Sequence, residues 1–315
     1  MTTVAAGAVT LLEASKAMYS SDMLKRGVVE IIIRESPVAE QMPWMTIAGN
    51  ALKQQVEAEL PTVGFRDVNE TYTQDFGTDT ERYWGTTIMG GEVFVDNYLV
   101  RVRGDVTSVK TRQYAKKARA AALTLDKYVV DGTGTAKDFK GINALINDGF
   151  GFTHTPNANG GALTLDALED AEDLMRKGSP DAIWANKYHR TKITRLARSS
   201  VSGVSLIDTT TDSFGRRVTT WNGTPIRILG DDKDGNQILD FDETCGNSSV
   251  TSSIYFVKFG EDNICGLLGA GGSFEVVDFG EIQSAPGHLG RIEFYPGLAI
   301  FDKHSVVRYN GITKA

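Results

Sequence analysis

The stretch from Val106 to Val130 has the composition and rhythm of one uninterrupted helix. At 1.5 Å per residue it would run roughly 37 Å. A fold has to be built around a strut of that length. Asp105 stands before it as an N-cap and Gly132 just beyond its end as a stop. Tyr114, Ala118, Ala121, Leu125 and Tyr128 follow the spacing of a buried stripe, while Lys110, Lys117 and Arg119 lie largely off it.

What precedes the strut carries no obvious core. Residues 1–50 begin polar, then form a helical patch, MLKRGVVEIIIRE, stopped near Ser36-Pro37 because the residue before proline disfavours helix. Such a segment predicts an arm that lies against something else. Residues 51–103 change to VEAEL and ERYWGTTIMGGEVFVDNYLVRVRG, rich in Thr, Tyr and Val around glycine turns, which predicts a long two-stranded excursion. The stretch between, FRDVNETYTQDFGTD, is polar and has no apolar period. An isolated ribbon of this kind is marginal in water, so it is expected to rest on a neighbour.

After the strut, the glycine run DGTGTAKDFKG reads as the turn that ends it. A second helix is predicted from Ala167 to Lys177, with Asp166 and Glu169 at capping-box spacing and Gly178 as the stop. A strand (AIWAN), a basic helix (KYHRTKITRLARSS) and a strand (TPIRIL) follow. The rest is mostly strand and glycine turn, including SIYFVKFG, NICGLLGAGG, SFEVVDFGE, RIEFYPGLAIFD and SVVRYNGI. Helix and strand in this order predict an α+β fold.

Chemistry is hard to find. The four histidines are scattered, without paired-ligand spacing, and the glycine run lacks the order of a phosphate-binding loop. No nucleophile elbow is present, so the chain is not expected to be an enzyme. Cys245 and Cys265 sit in no metal spacing and read as buried thiols. No run approaches the roughly 18 apolar residues of a membrane span, and the first residues lack a signal-peptide pattern, which predicts a protein made in the cytosol.

One loop does look like a ligand site. DKDGNQILDFDE places Asp232, Asp234, Asn236, Asp240 and Glu243 at the oxygen-donor offsets of a calcium loop. Gln237 stands where that loop needs glycine, and the flanks read as strands, so the competing reading is a solvated turn. No other cofactor is expected.

The net charge of -7 argues against a protein that grips nucleic acid through neutralised phosphates. Its distribution says more. Glu57 to Glu81 holds seven acids against the single base Arg66, whereas Arg101 to Lys127 holds eight bases against two acids. Adjacent segments of opposite sign suggest complementary surfaces.

A free arm, an acidic hairpin, a basic strut ending in DGTGTAKDFKGI, the segments AIWANKYHRTKITRL and WNGTPIRIL, and a closing LAIFDKHSVVRYNGI together resemble the major capsid protein of tailed bacteriophages. That fold is shared with encapsulins and herpesvirus capsid floors. The resemblance lies in order and character over nearly the whole chain. It implies an N-terminal arm (1–50), an extended loop (51–100), a peripheral domain with a spine helix (101–162), an axial domain (163–272) and a C-terminal return to the peripheral domain (273–315).

The resemblance also implies a function. The chain would be a structural subunit that self-assembles, as pentamers and hexamers, into an icosahedral virion shell around double-stranded DNA, without specific DNA binding and without a membrane. Assembly would take place in the host cytoplasm, with a portal. Glu70, Asp75 and Asp79 on the loop would then meet Arg112, Lys116 and Arg119 on a neighbour's spine. Between Lys53 and Lys110 there is no lysine, so the covalent welding that some members make through a loop lysine is not expected. With only a short segment before the first helical patch, a separate scaffolding protein is expected. The alternatives are an encapsulin-type compartment, a calcium-dependent binding module and an enzyme with an unrecognised site.

Overall fold

The computed structural model describes residues 9–10, 23–103, 106–135, 137–176, 178–199, 207–211, 215, 217–269 and 275–314. From a short strand β1 (Val9–Thr10) the chain passes through helices α1 (Met23–Glu35) and α2 (Pro37–Gln41) to β2 (Pro43–Thr46). A hairpin of β3 (Ala51–Glu59) and β4 (Thr78–Gly85) follows, then β5 (Met89–Asp96), α3 (Asn97–Arg103) and the spine helix α4 (Val106–Asp131). Next come α5 (Ile142–Leu145), β6 (Phe152–His154), α6 (Leu165–Asp173), β7 (Ala182–Ala185) and α7 (Lys187–Ser199). Strands β8 (Ile207–Thr211), β9 (Arg217–Trp221), β10 (Thr224–Ile228), β11 (Glu243–Cys245) and β12 (Ser248–Val257) lead into the last third. The chain closes with β13 (Ile264–Leu268), β14 (Glu275–Ile282), β15 (Gly287–Phe294), β16 (Pro296–Ile300) and β17 (Val306–Thr313).

The spine helix forms where the sequence puts it, and its stop has a steric reason. A Cβ on Gly132 would come within 2.2 Å of the Phe139 carbonyl oxygen, so only glycine lets the following loop fold back on the helix end. The buried stripe is Tyr114, Ala118, Ala122, Leu125 and Val129. This corrects two positions: Ala121 is half-buried and Tyr128 is exposed. The expected cap Asp105 lies outside the described residues.

Residues 23–47 do not form a free arm. Val28, Val29, Ile32 and Ile33 of α1 are buried in the main core with the spine stripe, and Val38, Met42, Trp44 and Ile47 extend it. Helix α1 packs on α4, where Ala118 and Ala122 leave room for it. Ser36 accepts from the Ala39 amide at 2.9 Å, capping α2, and Pro37 takes the first helical position, where its missing N–H is not needed. Strand β2 then inserts beside β13, with Trp44 opposite Gly266. The partners of these apolar residues belong to the same chain, which overturns the expectation that a neighbour supplies them.

The excursion is also shorter than expected. Only β3 and β4 form the isolated ribbon; β5 joins β15 and β14 in a separate sheet, and Asn97–Arg103 is a helix. Among the described residues the long sheet runs β6-β17-β12-β7-β10-β9-β8, with β11 on β12, and a third sheet runs β1-β2-β13-β16. Strand β7 alternates between two cores, Ile183 and Ala185 facing one and Ala182 and Trp184 the other, as the pleat requires. The second core packs Ala167, Leu168 and Ala171 of α6 on this sheet. Helix α6 is capped by Thr164, whose hydroxyl accepts from the Ala167 amide, rather than by the Asp166 and Glu169 pair, and it ends at Asp173.

Candidate assembly surfaces

The hairpin is fixed at its base and unsupported at its tip. At the base, Trp84 is buried with its ring edge-on to Phe150 at 5.0 Å, and its indole donates to Gln54 Oε1 at 3.0 Å. Past Glu59 the ladder stops, and residues 60–77 form no strand. Asp75 closes the neck by accepting from the Thr62 hydroxyl and, at 3.0 Å, from its amide; these bonds hold its carboxyl below the usual range. Glu70 accepts from the Asp67 amide at 3.0 Å.

The tip is not merely polar. Leu60, Val63, Phe65, Val68, Tyr72 and Phe76 are all exposed, Val63 at 93% and Phe76 at 85%. In the sequence these residues follow neither a strand nor a helix period. Their signal was count alone.

The acidic character of the hairpin is concentrated across its strands. Glu57 stands opposite Asp79, a like-charge pair that destabilises an isolated ladder. Of the acids nearby, Glu81 has a partner in Lys53 at 2.5 Å. On the spine, Arg112 and Lys116 are exposed, while Arg119 reaches Glu35 of α1 at 3.4 Å. Within one chain Glu70, Asp75 and Asp79 make no ion pair with Arg112, Lys116 or Arg119.

The loop at 232–243 does not gather its oxygens. Asp232 is buried, with Lys127 Nζ at 2.7 Å, and its Oδ1 accepts from the Asp234 and Asn236 amides at 2.9 and 3.0 Å. Lys127 above all, then these amides, pulls its carboxyl down to about 2. Glu243 instead faces Arg308 at 2.9 Å and accepts from the Ser253 hydroxyl. Asp240 accepts from the Phe241 amide at 2.8 Å, and Asp234 and Asn236 point to solvent. Among the described residues no group of three or more acidic, histidine or cysteine side chains could hold a metal. The five donors of the calcium spacing are thus not brought together here, and Asp232 pins the turn to the spine helix.

Cys245 and Cys265 are free thiols, both buried, and burial pushes Cys265 up to about 12. His189 is fully buried in α7, and desolvation lowers it to about 3, which keeps the ring neutral. No described helix is long and apolar enough to cross a membrane.

No protein-family model matches the sequence, and no curated protein is similar to it in sequence. Solved structures are similar in fold. The holo-SrpI encapsulin complex from Synechococcus elongatus PCC 7942 superposes with a TM-score of 0.65 at 14% identity, over 96% of this chain and 95% of that one. A chain of Microbacterium phage Oxtober96 gives 0.60 at 15% identity, over 89% and 91%. The capsid of an empty GTA particle gives 0.57 at 12% identity, over 89% and 90%. With its extended hairpin, spine helix and long sheet in this order, the chain has the α+β fold of tailed-phage major capsid proteins, which encapsulins share.

Proposed function

We propose that this chain is the structural subunit of an icosahedral capsid, assembling through pentamers and hexamers into a shell around a double-stranded DNA phage genome. The hairpin tip carries this reading. Six large apolar side chains exposed in the one loop that tips the ribbon are a poor surface for a lone chain in water, and a second copy is the surface that would cover them. Glu70, Asp75 and Asp79 would meet Arg112, Lys116 and Arg119 of that copy, with Arg119 shared with Glu35. A net charge of -7 suits a wall along which packaged DNA slides without sticking. The division into an N-terminal segment packed on the spine helix, an extended loop, and peripheral and axial parts, with a separate scaffolding protein and portal and assembly in a host cytoplasm, completes the proposal.

A second reading, a compartment holding protein cargo, is favoured by the similarity to an encapsulin over 96% of the chain. Purified particles separate the two. Nuclease-protected DNA supports the capsid, and protein contents without DNA support the compartment. A chain that stays monomeric in sizing chromatography and negative-stain microscopy overturns both.

A further inference from the structure

Helices α6 and α7 lie on one face of the long sheet, since Ala167, Leu168 and Ala171 of the first and Ile193 of the second share a core with Ile183 and Ala185 of β7. Helix α6 packs on β17 and α7 on β10, with β12 and β7 between those strands. The two helices therefore stand side by side, α6 toward the β6 edge and α7 toward the β9-β8 edge. Their charges are opposite and unmixed. Asp166, Glu169, Asp170 and Asp173 are exposed on α6, which has no base. Lys187, Arg190, Arg195 and Arg198 lie on α7, which has no acid. None of these eight residues has an ion pair among the described residues.

We propose that the acidic α6 flank of one copy docks on the basic α7 flank of a second copy. This rests on the shell reading above and names one of its contacts. A two-fold contact through either flank would set like charge on like charge. A head-to-tail contact sets acid on base and repeats from copy to copy, and in a pentamer or hexamer of the proposed shell that repeat closes into a ring. Charges in such a contact steer encounter and fix register.

Charge reversal on the full chain tests it. Glu169→Lys with Asp170→Lys and Asp173→Lys makes both flanks basic; Lys187→Glu with Arg195→Glu and Arg198→Glu makes both acidic. Each set alone should lower the yield of shells at low salt about tenfold or more, with unchanged circular dichroism. Combining both sets in one chain should restore assembly. Mixing the two singly reversed proteins should give even-numbered rings that neither forms alone. Where reversal unfolds the chain, Glu169→Gln, Asp170→Asn and Asp173→Asn replace it, and the expected result is the same loss of yield. Singly reversed proteins that assemble like wild type overturn the pairing and leave the shell reading intact. So does a folded double set that stays unassembled. A wild-type chain that never leaves the monomer overturns the shell reading and the pairing with it.

Discussion

Ser36 donates its hydroxyl to the carboxyl of Asp126, and both residues are buried. The same hydroxyl oxygen caps α2, so one side chain starts that helix and ties it to the spine. Burial pushes Asp126 up to about 8, against the pull of hydrogen bonds from Ser36 and the Val38 amide.

The pH dependence follows from that shift. Unfolded, Asp126 ionises near its ordinary value of 3.8; folded, it keeps its proton to about 8. Between these values the native state binds the extra proton, so the contribution is fully present below about pH 4 and lost as pH rises through about 8. Asp126→Asn should flatten the resulting fall in melting temperature and stabilise the chain by roughly 2–5 kcal/mol at about pH 8. Calorimetry across that range checks it; a slope equal to wild type would sink the assignment.

Reversal of the hairpin acids, Glu70→Lys with Asp75→Lys and Asp79→Lys, should impair shells and leave the subunit folded. The base of the ribbon, held by Trp84, does not depend on them. Adding Arg112→Glu and Lys116→Glu should recover part of the assembly. Electron microscopy is the readout, and normal shells from the first triple at low and high salt alike would remove this contact.

Because α1 packs on its own spine helix, shortening it should harm folding before assembly. Ile32→Ala removes a fully buried side chain and should cost about 2–5 kcal/mol. Deleting residues 1–35 should give insoluble protein. Urea unfolding of Ile32→Ala decides between this and a docking role, which would leave the midpoint unchanged.

Asp232 should act as a pin and not as a metal ligand. Its carboxyl is held down near 2, so its contribution is present above about pH 4 and lost as pH falls through about 2. Asp232→Asn should lower the melting temperature at neutral pH, and neither calcium nor a chelator should move it in either protein. A calcium-dependent rise would restore the metal reading.

Gly266 faces Trp44 across the β2-β13 pair, and a Cβ there would sit 2.4 Å from the indole ring. Gly266→Ala should therefore cost about 1–3 kcal/mol through overpacking. A melting temperature equal to wild type would show that the ring has room to move.

Local rules carried the sequence reading where the deciding neighbours are close in the chain. Gly132, the spacing along α4 and the turn chemistry of 232–237 are of that kind. The stripe slipped from Val129 to Tyr128 because a helix offers both i+3 and i+4 as neighbours, and only the packing partner chooses. YLVRVR alternates like a strand, yet Asn97–Arg103 is helical, with Tyr98, Leu99 and Val102 exposed. For Asp232 the deciding residue is Lys127, and for Ile32 it is the spine stripe. Neither pairing leaves a trace in local spacing. The tip residues Phe65 and Phe76 were in plain view but follow no period, so their exposure became visible only in three dimensions.

Strand β2 is made early and is held in parallel by β13, which is made near the end, itself paired with β16. A ribosome therefore delivers Trp44 long before Gly266 exists to receive it. Until then the apolar side of α1 and the short β2 have only part of their final surroundings, and closing so long a loop is slow. The nascent chain acquires its finished shape only when synthesis is nearly complete.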